Sequence, residues 1–288
     1  MRFSKFSNIG KLNILNKPTS SFGLKTIINA GSKSKNVGYF LLGAGTIGLG
    51  LLSYNLHNQS AQYTKSLLFS PSVSNHISTQ RIKDTMLYFS GGLILTAGVG
   101  SAMLRNPRFL IYSTSLWSLL FTLPASFFFM YKLRTTDQSN VIAKHLYMAG
   151  FNSVMAFNLL PILAFTELVI LRDAFLLTSG CFAGLGYTAY MSRNDAFLGM
   201  SGMLGAGLGG LIAISIGNIF FNNPILFNLW LYGGMALFLG LSLYDLKTIQ
   251  LRANKAYHFD PMSESVGIYM DFINIFIRMT MILQNRKK

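Results

Sequence analysis

The segment GIYMDFINIFIRMTMIL, residues 267–283, is apolar enough to cross a bilayer and yet contains Asp271 and Arg278. An ionised side chain at membrane depth costs free energy unless it faces protein or water and finds a partner. On a helix, Asp271, Asn274 and Arg278 share one stripe because they are spaced i, i+3 and i+7. The segment therefore predicts a helix whose polar stripe lipid does not contact.

The composition of the whole chain is that of a membrane protein. Of its residues, 51% are hydrophobic and only 11% are charged, whereas soluble domains have about 25% charged residues. Apolar runs long enough to cross the hydrocarbon layer occur at residues 37–54, 85–104, 109–131, 146–165, 169–191, 196–221, 225–244 and 265–283. Short links join the later runs, so we expect an all-α membrane protein whose helices pack as antiparallel neighbours in one bundle.

The net charge of +15 belongs mainly to the N-terminal region. Ten of the 24 basic residues precede Asp84, which is the first acidic residue, so the charge does not indicate nucleic-acid binding by the helical part. Residues 1–36 are basic, contain many Ser and Asn residues and lack acidic ones, which is typical of a mitochondrial presequence. A solvated basic tail is the alternative. We expect an extra membrane span at 37–54 and a loop at 55–80.

Several patterns that suggest chemistry are better explained by helix packing. The GxGxxG match at residues 43–48 lies inside an apolar run, where a dinucleotide site is not expected. The GxxxG motifs at Gly180–Gly184 and Gly205–Gly209 predict close approach of membrane helices. The four histidines are scattered, and we find no arrangement of nucleophile and base. We therefore expect neither an enzyme nor a tightly bound cofactor.

Two of the nine acidic residues are candidates for function. Asp245 lies near the inner end of the seventh apolar run, and Asp271 lies within the eighth. Two facing carboxylates in a partly desolvated site can share a proton, and Ca²⁺ favours the same oxygens, so protons and Ca²⁺ would compete. In the alternative, each carboxylate binds a helix end or a nearby base such as Lys247 or Arg278.

The other acidic residues have simpler interpretations. Glu167, Arg172 and Asp173 lie together at the start of the fifth run and can pair locally. The remaining carboxylates lie in loops or at the edges of runs, where we interpret them as solvated charges: Asp84, Asp137, Asp195, Asp260 and Glu264.

The C-terminal sequence resembles the end of the Bax inhibitor-1 (transmembrane Bax inhibitor motif) family. That family has a Tyr-Asp pair on its penultimate helix and an Asp followed by Asn-x-Phe on its last helix. The matching segments here are LYD, which contains Tyr244 and Asp245, and YMDFINIFIR, which contains Asp271 and Asn274. Weaker similarity extends back to residue 81, and the chain is most similar to the mitochondrial branch of the family.

The resemblance implies a seven-helix bundle over residues 81–288 around a central last helix, preceded by the extra N-terminal span. It also implies a pH-sensitive pair, Asp245 and Asp271, that controls Ca²⁺ permeation, with Tyr244, Asn274 and Arg278 in support. For the mitochondrial branch it implies an inner-membrane location, Ca²⁺/H⁺ exchange, and roles in cristae organisation and resistance to apoptosis. The alternative is a non-transporting scaffold that holds cristae-organising or protease partners through its glycine-rich faces.

One departure from the family pattern concerns an arginine. Family members often have, in the second core helix, an arginine that can pair with the aspartates, but residues 109–131 contain no charge. We therefore expect either that Arg278 or Arg108 takes its place or that gating differs.

Overall fold

The computed structural model describes residue 72 and residues 74–193, 197–221 and 223–286. The leader expected at 1–36 and the extra span expected at 37–54 lie outside these residues, as does most of the loop expected at 55–80. Residues 75–80 are described, and they form the first turns of a helix rather than part of that loop.

The regular elements of the described chain are all helices, which confirms the all-α prediction. Six helical segments are long and apolar enough to cross a membrane, and a 20-residue helix, α3, accompanies them. The elements are α1 (Asn75–Leu104), α2 (Pro107–Ser113), α3 (Leu116–Thr135), α4 (Val141–Phe165), α5 (Leu168–Met191), a 3₁₀ turn (Leu198–Met200), α6 (Ser201–Phe221), α7 (Pro224–Asn228), a π turn (Leu229–Gly233), α8 (Gly234–Lys255) and α9 (Pro261–Arg286).

The run at 109–131 does not form one helix. It is divided between α2 and α3 at Thr114 and Ser115. The Thr114 hydroxyl donates to the carbonyls of Leu110 and Ile111 at 3.2 and 3.0 Å. Such local bonds offer the backbone an alternative to the helix, a signal that hydropathy alone does not register.

The helical segment that contains the run at 225–244 is longer than the run itself. The π turn joins α7 directly to α8, so one helical segment extends over Pro224–Lys255. Asp245 therefore lies midway along α8 and not near the end of its helix, as the apolar run had predicted.

The last helix lies at the centre of the bundle, as the resemblance implied. α9 packs against α1, α3, α5 and α8, and 78% of its most apolar 18-residue window is buried, compared with 17–33% in the other five spans. Because protein surrounds α9, its polar stripe faces neighbouring helices, which is where an ionisable group at membrane depth is tolerated.

Three of the four GxxxG glycines have no close neighbour within the described chain. No atom lies within 4 Å of the position that a Cβ would occupy on Gly180, Gly184 or Gly209. The close approaches are elsewhere. A Cβ on Gly150 would lie 2.5 Å from Cε1 of Phe129.

Candidate ion-binding site

α8 and α9 run antiparallel and meet along a line of polar residues, which we call the α8–α9 seam. From one end to the other, Arg252 contacts Glu264, Asp245 faces Gly267, Ser242 interacts with Asp271, and Gly234 lies against Arg278. Glu264, Asp271 and Arg278 are each seven residues apart, two turns of helix, so α9 presents all three on one face. This spacing is how the sequence builds the seam.

The structure brings Asp245 and Asp271 together at the middle of the seam. Asp271 is 2% exposed, and its carboxyl interacts with the Ser242 hydroxyl and with the carboxyl of Asp245. Two ionised carboxylates only accept hydrogen bonds, so a bond between them requires a shared proton. Oδ2 of Asp271 is buried and has no hydrogen-bond partner among the described residues. The pair therefore has a buried oxygen available to a cation or a proton.

A small cavity opens beside Asp245. Its volume is about 20 Å³, enough for one water-sized particle. The lining includes four charged side chains and comes from the three helices α3, α8 and α9: Arg134, Asp245, Thr248, Ile249, Arg252, Ser263, Glu264 and Gly267. The cavity thus places polar space next to the carboxyl pair on the Glu264 side of the seam.

Arg134 is the residue that the sequence analysis missed. It lies in the last turn of α3, lines the cavity with Asp245, and interacts electrostatically with Glu264 and Asp245. The second core helix therefore does bring an arginine close to Asp245. The apolar run ends at Tyr131 because Lys132 follows it, whereas the helix continues through Thr135. A basic residue one turn beyond an apolar run was the available signal.

Neither substitute proposed for that arginine contacts the carboxyl pair. Arg278 donates from Nη1 to the carbonyl of Asn274 at 3.0 Å and to Oδ1 of the same residue at 3.2 Å. Arg108 is exposed at the start of α2. Those two expectations, and the alternative in which Asp271 pairs with Arg278, are wrong for the described chain.

The supporting residues occupy different places. Asn274 is buried and donates from Nδ2 to the carbonyl of Met270 at 2.9 Å, and its Oδ1 accepts from Arg278. Its side chain therefore makes hydrogen bonds only within α9 among the described residues. Tyr244 is buried in α8 beside Asp245 in the chain. Lys247, two residues from Asp245, is buried and donates to the carbonyls of Ala189 and Ser192 at the end of α5.

Ion pairs enclose the cavity end of the seam. Nη1 of Arg252 donates to Oε1 and Oε2 of Glu264 at 2.8 and 2.9 Å, with 10% and 20% of the two side chains exposed. Asp260 accepts from Lys144 of α4 and from Ser263. The interpretation of Asp260 and Glu264 as solvated charges is therefore wrong. The local pairing of Arg172 with Asp173 is confirmed, at 2.9 Å on an exposed surface.

No group of three or more His, Cys, Asp or Glu residues suited to a metal ion occurs among the residues that the structure describes. The site is a pair of carboxyl groups with the Ser242 hydroxyl beside them. Ca²⁺ takes six to eight oxygen ligands, so water and backbone carbonyls would have to complete its shell. Such a partial shell suits brief occupancy better than permanent binding.

Comparison with known proteins agrees with this architecture. The family model described as "Inhibitor of apoptosis-promoting Bax1" matches residues 78–288. The chain is 30% identical to the growth hormone-inducible transmembrane protein of Rattus norvegicus over 87% of this chain and 76% of that protein. It is 33% identical to Bax inhibitor 1 of Homo sapiens over 49% of this chain and 60% of that protein. It is 29% identical to an uncharacterised Campylobacter jejuni protein over 77% of this chain and 95% of that protein.

The family match includes both carboxylates of the seam. It also covers every described helix except the first three residues of α1. The chain therefore belongs to the Bax inhibitor-1 family.

Proposed function

We propose that the protein is a Ca²⁺ transporter or leak pathway in which Asp245 and Asp271 exchange protons for Ca²⁺. The observation that carries the proposal is the contact between the two carboxyl groups inside the buried α8–α9 seam. Intramembrane ionisable residues that face the interior of a bundle commonly mark ion or proton pathways. The proposal assigns no enzymatic activity and no tightly bound cofactor to the chain.

The exchange follows from the chemistry of the pair. A proton between the two carboxyl groups removes their mutual repulsion, and a divalent cation does the same by neutralising both. Either occupant therefore displaces the other, and metal binding releases the proton. The buried Oδ2 of Asp271 and the cavity beside Asp245 supply an unused acceptor and a route of approach.

We place the protein in the mitochondrial inner membrane as a multi-pass protein. The acid-free basic composition of residues 1–36 supports this location, together with the similarity to the mitochondrial branch of the family. In that setting, control of Ca²⁺ would link the protein to cristae organisation and to resistance to apoptosis. The family description as an inhibitor of an apoptosis-promoting protein supports the latter role.

Reconstitution into lipid vesicles tests the exchange. Wild-type protein should carry Ca²⁺ into vesicles at a rate that responds to pH, and Asp245→Asn and Asp271→Asn should each abolish that flux. The matched control is Asp173→Asn, which removes an exposed carboxylate, 44% accessible, that pairs with Arg172. Unchanged flux in both seam variants would show that the pair does not carry Ca²⁺.

A non-transporting scaffold is the second candidate function. Its support is the open surface at Gly180, Gly184 and Gly209, which no other part of the described chain covers. Small residues at this spacing let a partner helix approach closely, and an inner-membrane protease or a cristae-organising protein would be a suitable partner. The scaffold predicts that the Asp245→Asn/Asp271→Asn double variant restores normal cristae in cells lacking the protein, whereas the exchanger predicts that it does not.

A further inference from the structure

The α8–α9 seam contains a charged group that the proposed exchange does not use. Arg278 is 0% exposed, seven residues beyond Asp271 on the same face of α9. Its Nη1 donates only within its own helix, to the backbone and side chain of Asn274, and its Nε has no hydrogen-bond partner among the described residues. No described carboxylate forms an ion pair with it. A full positive charge is thus held at membrane depth without a counter-ion in the described chain.

Aromatic rings take the place of a counter-ion. Cζ of Arg278 lies 4.9 Å from the centroid of the Trp230 ring and 4.5 Å from that of Phe238. Both distances are within the range in which the face of an aromatic ring attracts a cation. Trp230 belongs to the π turn between α7 and α8, and single π turns inside helices are frequent at functional sites.

Gly234 completes this aromatic cage. A Cβ at Gly234 would lie 2.6 Å from Nε of Arg278, which is closer than Cβ contacts in proteins, and 3.1 Å from Nη2, which is a tight contact. The guanidinium is also confined by the two rings, so it has little freedom to move aside. The cage, defined by Trp230, Gly234 and Phe238, therefore holds the cation in one place.

The cage lies at the end of the seam opposite to the cavity. Arg252 and Glu264 border the cavity end, Asp245 and Asp271 lie at the middle, and Arg278 fills the other end. From Asp271, seven residues at 1.5 Å rise place Arg278 about 10 Å further along the helix axis. A cation that reaches the carboxyl pair and continues along the seam next meets a fixed positive charge flanked by two rings.

We infer that Arg278 is the barrier that closes the seam to cations at the end away from the cavity. This inference rests on the proposed ion pathway and adds to it the residue that excludes uncoupled passage. The fixed charge repels a divalent cation twice as strongly as a monovalent one, and low-dielectric surroundings strengthen the repulsion. Opening this end requires the guanidinium to leave its cage.

The test compares Arg278→Gln with Arg278→Lys in lipid vesicles, with Ca²⁺ and K⁺ entry measured at one fixed pH. The Gln variant removes the charge and should raise the leak of both ions about tenfold or more. The Lys variant keeps the charge and should leak no more than wild type. The barrier would be overturned if folded Arg278→Gln leaked no faster than wild type. It would also be overturned if Arg278→Lys leaked as fast as Arg278→Gln.

A second variant keeps the inference testable if Arg278→Gln does not fold. Gly234→Ala leaves Arg278 intact but displaces its guanidinium, so it should increase the K⁺ leak, whereas Gly91→Ala, at an open position, should not. Thermal unfolding in detergent reports whether each variant is folded. Loss of stability in Gly234→Ala without any leak would show that Arg278 only anchors the helix and would overturn the inference.

The K⁺ measurement separates this inference from the exchange mechanism. If wild type carries no Ca²⁺ and Arg278→Gln leaks K⁺, the barrier stands and the exchange fails. If wild type exchanges Ca²⁺ for protons and Arg278→Gln leaks neither ion, the exchange stands and the barrier fails.

Discussion

Gly267 of α9 and Asp245 of α8 line the same cavity and face each other. A Cβ on Gly267 would lie 3.5 Å from Oδ2 of Asp245. The separation is ordinary van der Waals contact, so a methyl group fits there and a larger side chain does not. The absence of a side chain at Gly267 keeps the approach to the carboxyl pair open.

Substitution of Gly267 should therefore act by size. Gly267→Ala should transport Ca²⁺ nearly as well as wild type, whereas Gly267→Leu should fill the cavity of about 20 Å³ and block flux. Ca²⁺ entry into vesicles is the measurement, and Gly91→Leu, at an open and exposed position on α1, is the control. Full flux through a folded Gly267→Leu protein would mean that ions do not use this cavity.

Competition between protons and Ca²⁺ should appear as a shift in the pH profile. Flux should fall as the pH on the Ca²⁺ side is lowered, because protons then occupy the oxygens of Asp245 and Asp271. Raising Ca²⁺ tenfold should move the midpoint to lower pH, by about one unit if one proton is displaced per ion and by about half a unit if two are. A midpoint that stays fixed as Ca²⁺ increases would rule out a shared site.

The ion pair of Arg252 with Glu264 should stabilise the cavity end of the bundle. Glu264→Gln leaves the buried part of Arg252 with a weaker partner and should lower the free energy of unfolding by about 1–3 kcal/mol. The control is Asp173→Asn, which breaks an exposed pair, 66% and 44% accessible, and should lower it by less than about 1 kcal/mol. Thermal or denaturant unfolding in detergent measures both, and equal effects would contradict the structural difference.

Close packing between α3 and α4 gives a fourth prediction. Gly150→Ala would place a Cβ 2.5 Å from Cε1 of Phe129, and overpacking of this kind lowers stability by about 1–3 kcal/mol. Gly91→Ala, with open space around it, should instead be neutral or stabilising by up to about 1 kcal/mol because alanine favours the helix. A stable Gly150→Ala protein would mean that Phe129 moves aside without cost.

The family assignment came from the motifs that contain Asp245 and Asp271, and the resemblance implied a central last helix. That lipid does not contact the polar stripe of this helix was predictable from the residues themselves. A carboxylate, an amide and a guanidinium on one stripe of an apolar segment require a protein environment, and α9 is the most buried of the six spans. The juxtaposition of Asp245 with Asp271 came from the family motif and not from the spacing, because a separation of 26 residues along the chain does not determine a contact between two helices.

Arg134 shows why helix ends were less predictable. Hydropathy locates the part of a helix that suits lipid, but hydrogen bonding carries α3 beyond it to Thr135. For the same reason, Asp245 lies at the edge of an apolar run in the sequence but in the middle of α8 in the structure. In both cases the polar residues just outside an apolar run belonged to the helix and to the site.

The sequence alone indicated an all-α membrane protein and which residues of a helix share a face, because composition and the 3.6-residue period are local properties. Only the tertiary structure decided the partner of each charge. Arg278, one of the alternative partners for the carboxylates, lies against Trp230 and Phe238, while Arg134 and Asp245 share a cavity. Such choices depend on the rotation and register of packed helices, which the pattern of a single helix does not contain.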